Sequence, residues 1–491
     1  MGRTNVTGSL AKMYIAGAWV QGGSGNVQDI INPATGDAIG QLCLADSNDL
    51  ERALASAERG LQIWGAVPAW DRGRILKDAA ALMRERSAEI SRLMTLEHGK
   101  TLAEAQVELL RAADFIEWGG EEARRVASRQ FGARDPDATV TIQYGPVGVV
   151  AAFSPWNYPV LQASKKLAAL LAAGCSCVLK PAEETPSATI AFLQCLIDAG
   201  LPANVVNMVF GVPSEVSSFL ISDPRVAKIT FTGSVPVGKL LASQAGQHMK
   251  PVTMELGGHS PVLVCEDADL DSAIDILVLR KFANSGQVCV SPNRIFVHES
   301  IVEEFTRRFC EKASQVVVGD GSQNDVTMGP LANLRRLEAI QGLVNDAVAR
   351  GARVVMGGAR LDGAGYLFPP TVLRDVSEDS DLMTVEPFGP VVPIVSFSNY
   401  DDVLRRANDT EYGLAAYIFS RDEKRQRYLA DRLIVGTIGI NDIPAHTADI
   451  PLGGWKDSGY GVEGGTEMTQ AYLKSKFLYT KNAAWRPESG A

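Results

Sequence analysis

Two periodicities divide the chain. After about 45 residues of short strands and turns, with Asn32-Pro33-Ala34-Thr35-Gly36 as a turn cluster, apolar positions fall at helical spacing. Leu50, Ala53, Leu54, Ala57 and Leu61 share one face of a helix that Ser47 or Asn48 caps. A second helix is predicted from about Trp70 to His98, stopping at Gly99, and a third over roughly 102–126. Arg134-Asp135-Pro136-Asp137 is polar and breaks the pattern, and 139–144 then alternates like a strand. From Val147 the rhythm changes. Strands are predicted over 147–153, 176–179, 205–210 and 228–231, with helices following over 160–173, 187–199, 214–221 and 237–244. Such alternation predicts an α/β fold, a parallel sheet with helices on both faces. Ligands of such sheets bind beyond the carboxyl ends of the strands, which singles out the loops 154–158, 180–185 and 232–238. A second βα series begins near Gly258, with strands over 261–265, 294–298 and 391–397, and 471–480 reads as a late strand.

Composition adds exclusions. A chain of 491 residues implies about three domains at roughly 150 residues each. Its net charge of −10 argues against non-specific nucleic-acid binding and gives no attraction to anionic lipid. The seven cysteines are odd in number and match no zinc spacing, and there are only five histidines, so no metal site is expected. A reducing cytoplasm is the expected location. The first residues lack the apolar core of a signal peptide, and the most apolar stretch, 167–179, is too short to span a bilayer.

The candidate chemistry centres on Cys289, in Gly286-Gln287-Val288-Cys289, and on Glu255, in Glu255-Leu256-Gly257-Gly258. A thiol attacks carbon only as thiolate and is mostly protonated at neutral pH, so a nearby carboxylate could take its proton, or later one from water. The other cysteines read as inert buried hydrophobes. Thr232-Gly233-Ser234 follows a strand and opens a helix, which suits a pyrophosphate or an ordinary tight turn. Lys180 and Glu183 end another strand, as contacts to ribose hydroxyls or as a solvated loop. Trp156-Asn157 follows a third; the amide could donate to an oxyanion or form a turn before Pro159. Glu386-Pro387-Phe388-Gly389-Pro390 is a rigid turn carrying one acid and one aromatic.

Taken in chain order, Pro155-Trp156-Asn157-Tyr158-Pro159, Lys180-Pro181-Ala182-Glu183-Glu184-Thr185-Pro186, Phe231-Thr232-Gly233-Ser234, Glu255-Leu256-Gly257-Gly258, Gly286-Gln287-Val288-Cys289, Glu386-Pro387-Phe388-Gly389-Pro390 and Pro451-Leu452-Gly453-Gly454-Trp455-Lys456 resemble the aldehyde dehydrogenase superfamily, from about Ile15 to Lys476. The resemblance implies that Cys289 attacks an aldehyde, that Asn157 and the Cys289 N–H form the oxyanion hole, and that hydride passes to the nicotinamide of NAD, or of NADP, leaving a thioester. It implies Glu255 as the base for hydrolytic water, with Lys166 and Glu463 as its proton-relay partners. Lys180 and Glu183 match contacts to the adenine ribose. Gly233 belongs to the pyrophosphate loop, Ser234 and Trp156 match pyrophosphate and backbone contacts, and Glu386 and Phe388 match the groups that hold the nicotinamide ribose and ring. Glu183 favours NAD by repelling a 2′-phosphate. The implied fold has an NAD-binding domain over 1–130 and 147–257, a catalytic domain over 258–468, and a small β arm over 131–146 and 469–488 that pairs subunits into a homodimer or homotetramer.

The phrasing around Cys289 and Lys456-Asp457-Ser458-Gly459 is similar to the succinate-semialdehyde dehydrogenase branch. That branch grips a substrate carboxylate with arginines at positions that hold Lys165 and Ala283 here, which leaves open a different semialdehyde or an uncharged aldehyde. The alternatives to hydrolytic aldehyde oxidation are a CoA-acylating relative, which needs no Glu255, a cofactor-free thiol hydrolase, and a catalytically silent binding homologue.

Overall fold

The computed structural model describes residues 10–481, organised by two large sheets. In the first, five parallel strands run in the order Val252–Glu255, Val226–Thr232, Val149–Phe153, Ser176–Lys180, Val206–Met208. Gly459–Tyr460 closes one edge, and the hairpin of Met13–Ile15 and Ala18–Val20 closes the other, all antiparallel, with Ala18–Val20 outermost. Val149–Phe153 and Ser176–Lys180 are buried at every position, as is the helix Pro159–Ala173 that follows the first of them. Strands covered on both faces read as unbroken apolar runs, which is why the pattern was visible in the sequence.

The second sheet has seven strands, in the order Arg353–Met356, Thr371–Arg374, Val391–Phe397, Pro292–His298, Ser260–Val264, Ala415–Phe419, Thr437–Ile440. All pairs are parallel except the first. Separate apolar cores pack its two faces. A third sheet pairs Leu473–Lys481 antiparallel with Ala138–Pro146 along nine residues, with Arg129–Gly132 on the far side. The expected boundaries reach past the described residues at 1–9 and 482–488. No helix among the described residues is long and apolar enough to cross a membrane.

Three expectations need correction. The long helix over 70–98 is two helices, Ala69–Glu85 and Ser87–His98. The apolar spacing continues through the break, so periodicity cannot see it; Arg86 sits at the bend and pairs with Asp198 at 2.6 Å. The first long helix is capped by Asp46, not Ser47 or Asn48, because Asp46 and Asp49 exchange side-chain to backbone bonds. The helix from Leu102 ends at Ala123 rather than near 126. Its start is a second reciprocal cap, in which Thr101 accepts from Glu104 N–H and the Glu104 carboxylate accepts from Thr101 N–H.

Candidate active site

The cysteine loop is built on a strained turn. Helix Leu270–Phe282 ends just before it, and Asn284, Ser285 and Gly286 follow at φ of 52°, 57° and 72°. Side chains other than glycine avoid this left-handed region, so it persists only where the surroundings hold it. Four bonds do so. Asn284 N–H donates to Glu104 Oε1 at 2.7 Å, and Ser285 Oγ to the Gly329 carbonyl at 2.8 Å. Gln287 Nε2 donates to the Asn284 carbonyl at 3.1 Å, and Gln287 Oε1 accepts from Ala332 N–H at 2.9 Å. A Cβ on Gly286 would collide with the Gly389 carbonyl oxygen, so the cysteine loop and the Glu386–Gly389 turn lie in direct contact. Burial pushes the Cys289 thiol up to about 12; Glu255 acts in the same sense and Lys165 against it.

Asn157 faces this loop. Its Nδ2 donates to the Gln287 carbonyl at 3.0 Å, which leaves one amide hydrogen uncommitted. The Asn157 carbonyl accepts from Lys100 Nζ at 2.8 Å and from Asn284 Nδ2 at 3.0 Å. Lys100 pairs with Glu108 at 2.6 Å, both side chains fully buried. The other Glu108 oxygen accepts from Val160 and Leu161 N–H, in the first turn of Pro159–Ala173, at 3.0 and 3.2 Å. One face of helix Leu102–Ala123 therefore positions both loops: Glu104 holds the cysteine loop, and Glu108 with Lys100 holds the Asn157 loop.

Glu255 ends its strand beside Thr232 on one side and Gly459 on the other. It is buried, and neither carboxylate oxygen accepts a hydrogen bond. Lys165 Nζ lies 3.6 Å from Glu255 and 3.7 Å from Glu463. Lys166 Nζ donates to Glu463 Oε1 and Thr232 Oγ1, each at 2.6 Å, so it reaches Glu255 only through Glu463. Burial raises the Glu255 carboxyl well above the usual carboxylate range, Lys165 opposing and Glu463 adding to the rise. Burial also acts to raise Glu463, but Lys166 and Lys165 outweigh it and hold that group low. Within one buried cluster the two carboxylates are pushed apart, one basic and one ionised.

Trp156/Asn157, Lys180/Glu183 and Gly233/Ser234 follow the carboxyl ends of three adjacent parallel strands, so they lie side by side. Lys180 pairs with Glu183 at 2.6 Å, and Glu183 Oε1 accepts from Gly211 N–H at 3.2 Å; neither side chain is the solvated loop residue of the alternative reading. Ser234 precedes helix Val235–Gln247, is exposed and makes no side-chain cap. The N–H groups of that first turn have no intrahelical partner and suit an anion. Glu386 Oε1 accepts from Gly258 N–H at 3.0 Å, and a Cβ on Gly257 would collide with the other oxygen. Burial raises Glu386 to about 7, against the Gly258 bond, Arg336 and Lys281. Phe388, at φ 46°, sets its ring edge-on to Trp156 at 5.5 Å. A helix start open to a pyrophosphate, a Lys–Glu pair suited to ribose hydroxyls and an aromatic–acid turn against the cysteine loop fit a nicotinamide dinucleotide.

On the other side of Cys289 is a narrow cavity of about 110 Å³. Arg111, Tyr158, Lys165, Arg280, Ala283 and His446 are among its walls. Burial lowers the His446 imidazole to about 3, Lys165 acting in the same direction, so it is neutral at physiological pH. Sequence reading missed Lys100, Glu104, Glu108, Arg111, Arg280 and His446. A signal existed for one of them: Glu104 stands three residues after Thr101, the spacing of a reciprocal helix cap.

Comparison with known proteins agrees with this geometry. A profile described as "Aldehyde dehydrogenase family" matches residues 19–478. The chain is 44% identical to 4-(hydroxymethyl)benzenesulfonate dehydrogenase of Comamonas testosteroni, over 95% of this chain and 98% of the relative. It is 39% identical to the NADP(+) succinate-semialdehyde dehydrogenase of Escherichia coli, over 94% of this chain and 96% of the relative. Among solved structures it superposes on betaine aldehyde dehydrogenase of Staphylococcus aureus in complex with NAD+, with a TM-score of 0.94, 33% identity and coverage of 98% of this chain and 97% of the other. The chain belongs to the aldehyde dehydrogenase family and is an NAD(P)-dependent oxidoreductase that converts an aldehyde to its carboxylic acid.

Proposed function

We propose that Cys289 is the nucleophile, Asn157 Nδ2 and the Cys289 N–H the oxyanion hole, and Glu255 the base. The single observation that carries this reading is the Glu255 carboxylate, buried beside the thiol with both oxygens free of hydrogen bonds. Such a group is costly to keep unless chemistry uses it. Glu255 takes the thiol proton, and Lys165 steadies the thiolate. The sulfur adds to the aldehyde carbon, and the alkoxide that forms is held by the two N–H donors without being quenched. A bound nicotinamide dinucleotide, held by Trp156, Lys180, Glu183, Gly233, Ser234, Glu386 and Phe388, supplies the acceptor for the hydride that the alkoxide expels. Once that first proton has left, Glu255 takes a second from water, whose oxygen adds to the thioester carbonyl and expels the Cys289 thiolate. That proton has an exit through Glu463, Lys166 and Thr232.

Glu255→Gln tests the assignment. A burst of NADH equal to the enzyme present should precede a steady state slowed by about 10²-fold or more, with an acyl group on Cys289 by mass spectrometry. Turnover equal to wild type would remove Glu255 from the mechanism, and product formed only with CoA would favour an acylating enzyme. Both Cys289 and Glu255 act deprotonated and both are raised, so the wild-type rate should climb as pH rises through and above neutrality. The part of that climb due to Glu255 should vanish in the variant.

Further assignments belong with this reading. Glu183 makes NAD the preferred cofactor. The segments 1–130 with 147–257 form the cofactor domain, 258–468 the catalytic domain, and 131–146 with 469–488 an arm. Phe477 on its edge strand is 73% exposed, and Tyr479 and Phe131 are also exposed, which supports pairing with a second copy as a homodimer or homotetramer. All seven cysteines are free thiols, which supports a reducing cytoplasm. The two relatives of 44% and 39% identity are named for a sulfonate and a carboxylate compound, which supports a negatively charged aldehyde as substrate more than the cationic betaine aldehyde named for the structure of 33% identity.

A further inference from the structure

The cavity in front of Cys289 carries charge of one sign. Arg111, Lys165 and Arg280 line it, and no carboxylate does. In a chain of net charge −10 this cannot come from composition. Lys165 is committed to Glu255 and Glu463. The two arginines are not: among the described residues neither guanidinium has an ion-pair or hydrogen-bond partner. Acids near them along the chain are already taken. Glu108 is held by Lys100 and Asp114 by Arg84, on the helix of Arg111. Asp275, one and a half turns before Arg280, is held by Lys312. Much of the remaining wall is apolar, including Leu161, Val290, Ile443 and Leu452.

We infer that Arg111 and Arg280 form an anion subsite, and that the substrate is an aldehyde with an apolar body and a carboxylate or sulfonate at the end away from the carbonyl. The inference rests on Cys289 as the point of attack. It relocates the anion contact from the two positions expected by resemblance. Lys165 is engaged with the catalytic carboxylates, and Ala283 carries no charge. Arg280 lies three residues before Ala283, so its guanidinium enters the same cavity from the preceding helical turn, while Arg111 enters from helix Leu102–Ala123. Two planar forks from different helices suit an oxyanion with several acceptor oxygens. A neutral aldehyde of the same shape would leave both guanidinium groups desolvated and unpaired, and sites of that kind discriminate strongly.

The test compares isosteric aldehydes on the full-length enzyme with NAD: 4-formylbenzoate and 4-formylbenzenesulfonate against 4-methylbenzaldehyde, and succinate semialdehyde against butanal. The anionic member should lead by about 100-fold in kcat/KM. Arg111→Gln and Arg280→Gln should each raise KM for the anions about 10-fold or more while leaving the neutral aldehydes within about twofold, and Arg→Lys should recover part of the loss. Preference for either anion sustains the proposal, and their ratio identifies the headgroup. Equal use of neutral and anionic aldehydes, or equal losses for both in the variants, overturns it while leaving the role of Cys289 intact. A readout independent of turnover is alkylation of Cys289 by iodoacetamide. Protection by 4-methylbenzoate or 4-methylbenzenesulfonate but not by 4-methylbenzamide, lost in the two variants, is expected. Protection by all three alike, or by none, overturns the subsite even if no aldehyde in the set is oxidised.

Discussion

The two sides of Cys289 differ in how their charges are balanced. On the cofactor side the charged side chains have protein partners: Lys180 with Glu183, Glu183 also with Gly211 N–H, Glu386 with Gly258 N–H. On the aldehyde side Arg111 and Arg280 have none among the described residues, and Glu255 accepts no hydrogen bond there. A cofactor that is the same in every turnover can be met by a surface that is already neutral and rigid. The groups that meet the reacting atoms and the variable ligand are kept unsatisfied at a cost to stability, and they recover that cost only when substrate or water arrives.

The largest expected effect separates the two sides outright. Cys289→Ala should lower aldehyde oxidation by at least about 10⁴-fold, as loss of a covalent nucleophile does. NAD affinity, measured by fluorescence titration, should stay within about twofold. If NAD binding fell with activity, the sides would be one cooperative unit and the contrast between them would be lost.

A middle-sized effect lies at their junction, in the pair beneath Asn157. Lys100→Met removes the donor to the Asn157 carbonyl and leaves Glu108 buried and unpaired, which should cost about 3–5 kcal/mol of stability. Asn157, the proposed oxyanion donor, also loses its anchor, and kcat should fall roughly 10- to 100-fold, somewhat less than loss of the donor itself. The double variant Lys100→Met/Glu108→Gln tells positioning from bulk stability. Its neutral amide still accepts from Val160 and Leu161 N–H, so thermal stability should return toward wild type while kcat stays low. Full recovery of both would make Lys100 a purely structural residue.

The same contrast explains what could be read in the sequence. Buried parallel strands show as apolar runs, and the loops at their carboxyl ends follow from topology, so Asn157, Lys180, Glu183, Gly233 and Ser234 could be placed at those ends without coordinates. Cys289 and Glu255 stand out in the sequence because few residue types do the chemistry proposed for them. Arg111 and Arg280 were invisible for a physical reason. Each is one charged residue on an amphipathic helix, where a solvated arginine looks the same, and only the fold reveals that no acid among the described residues pairs with it. Lys100 and Glu108 are hidden differently: a lysine after Gly99 reads as a helix-flanking surface charge, whereas both side chains are fully buried. The break at Arg86 escaped because apolar spacing records which face is buried and says nothing of a change in axis.

The smallest expected effect probes the balance on the cofactor side itself. A carboxylate facing the adenine ribose repels a 2′-phosphate, but Glu183 is paired with Lys180 at 2.6 Å, and that pairing cancels part of its field. Glu183→Gln removes the charge while keeping an oxygen for Gly211 N–H. It also frees the Lys180 ammonium, which can then meet a phosphate. Both changes act in the same direction, so kcat/KM with NADP relative to NAD should rise by about 10-fold, mostly through KM for the cofactor. Because the surface is already neutralised, the shift should stay well below the loss expected at the unpaired arginines. A ratio unchanged in the variant would mean that the Lys180–Glu183 pair is electrostatically silent toward the cofactor, and that discrimination between NAD and NADP lies elsewhere in the loop.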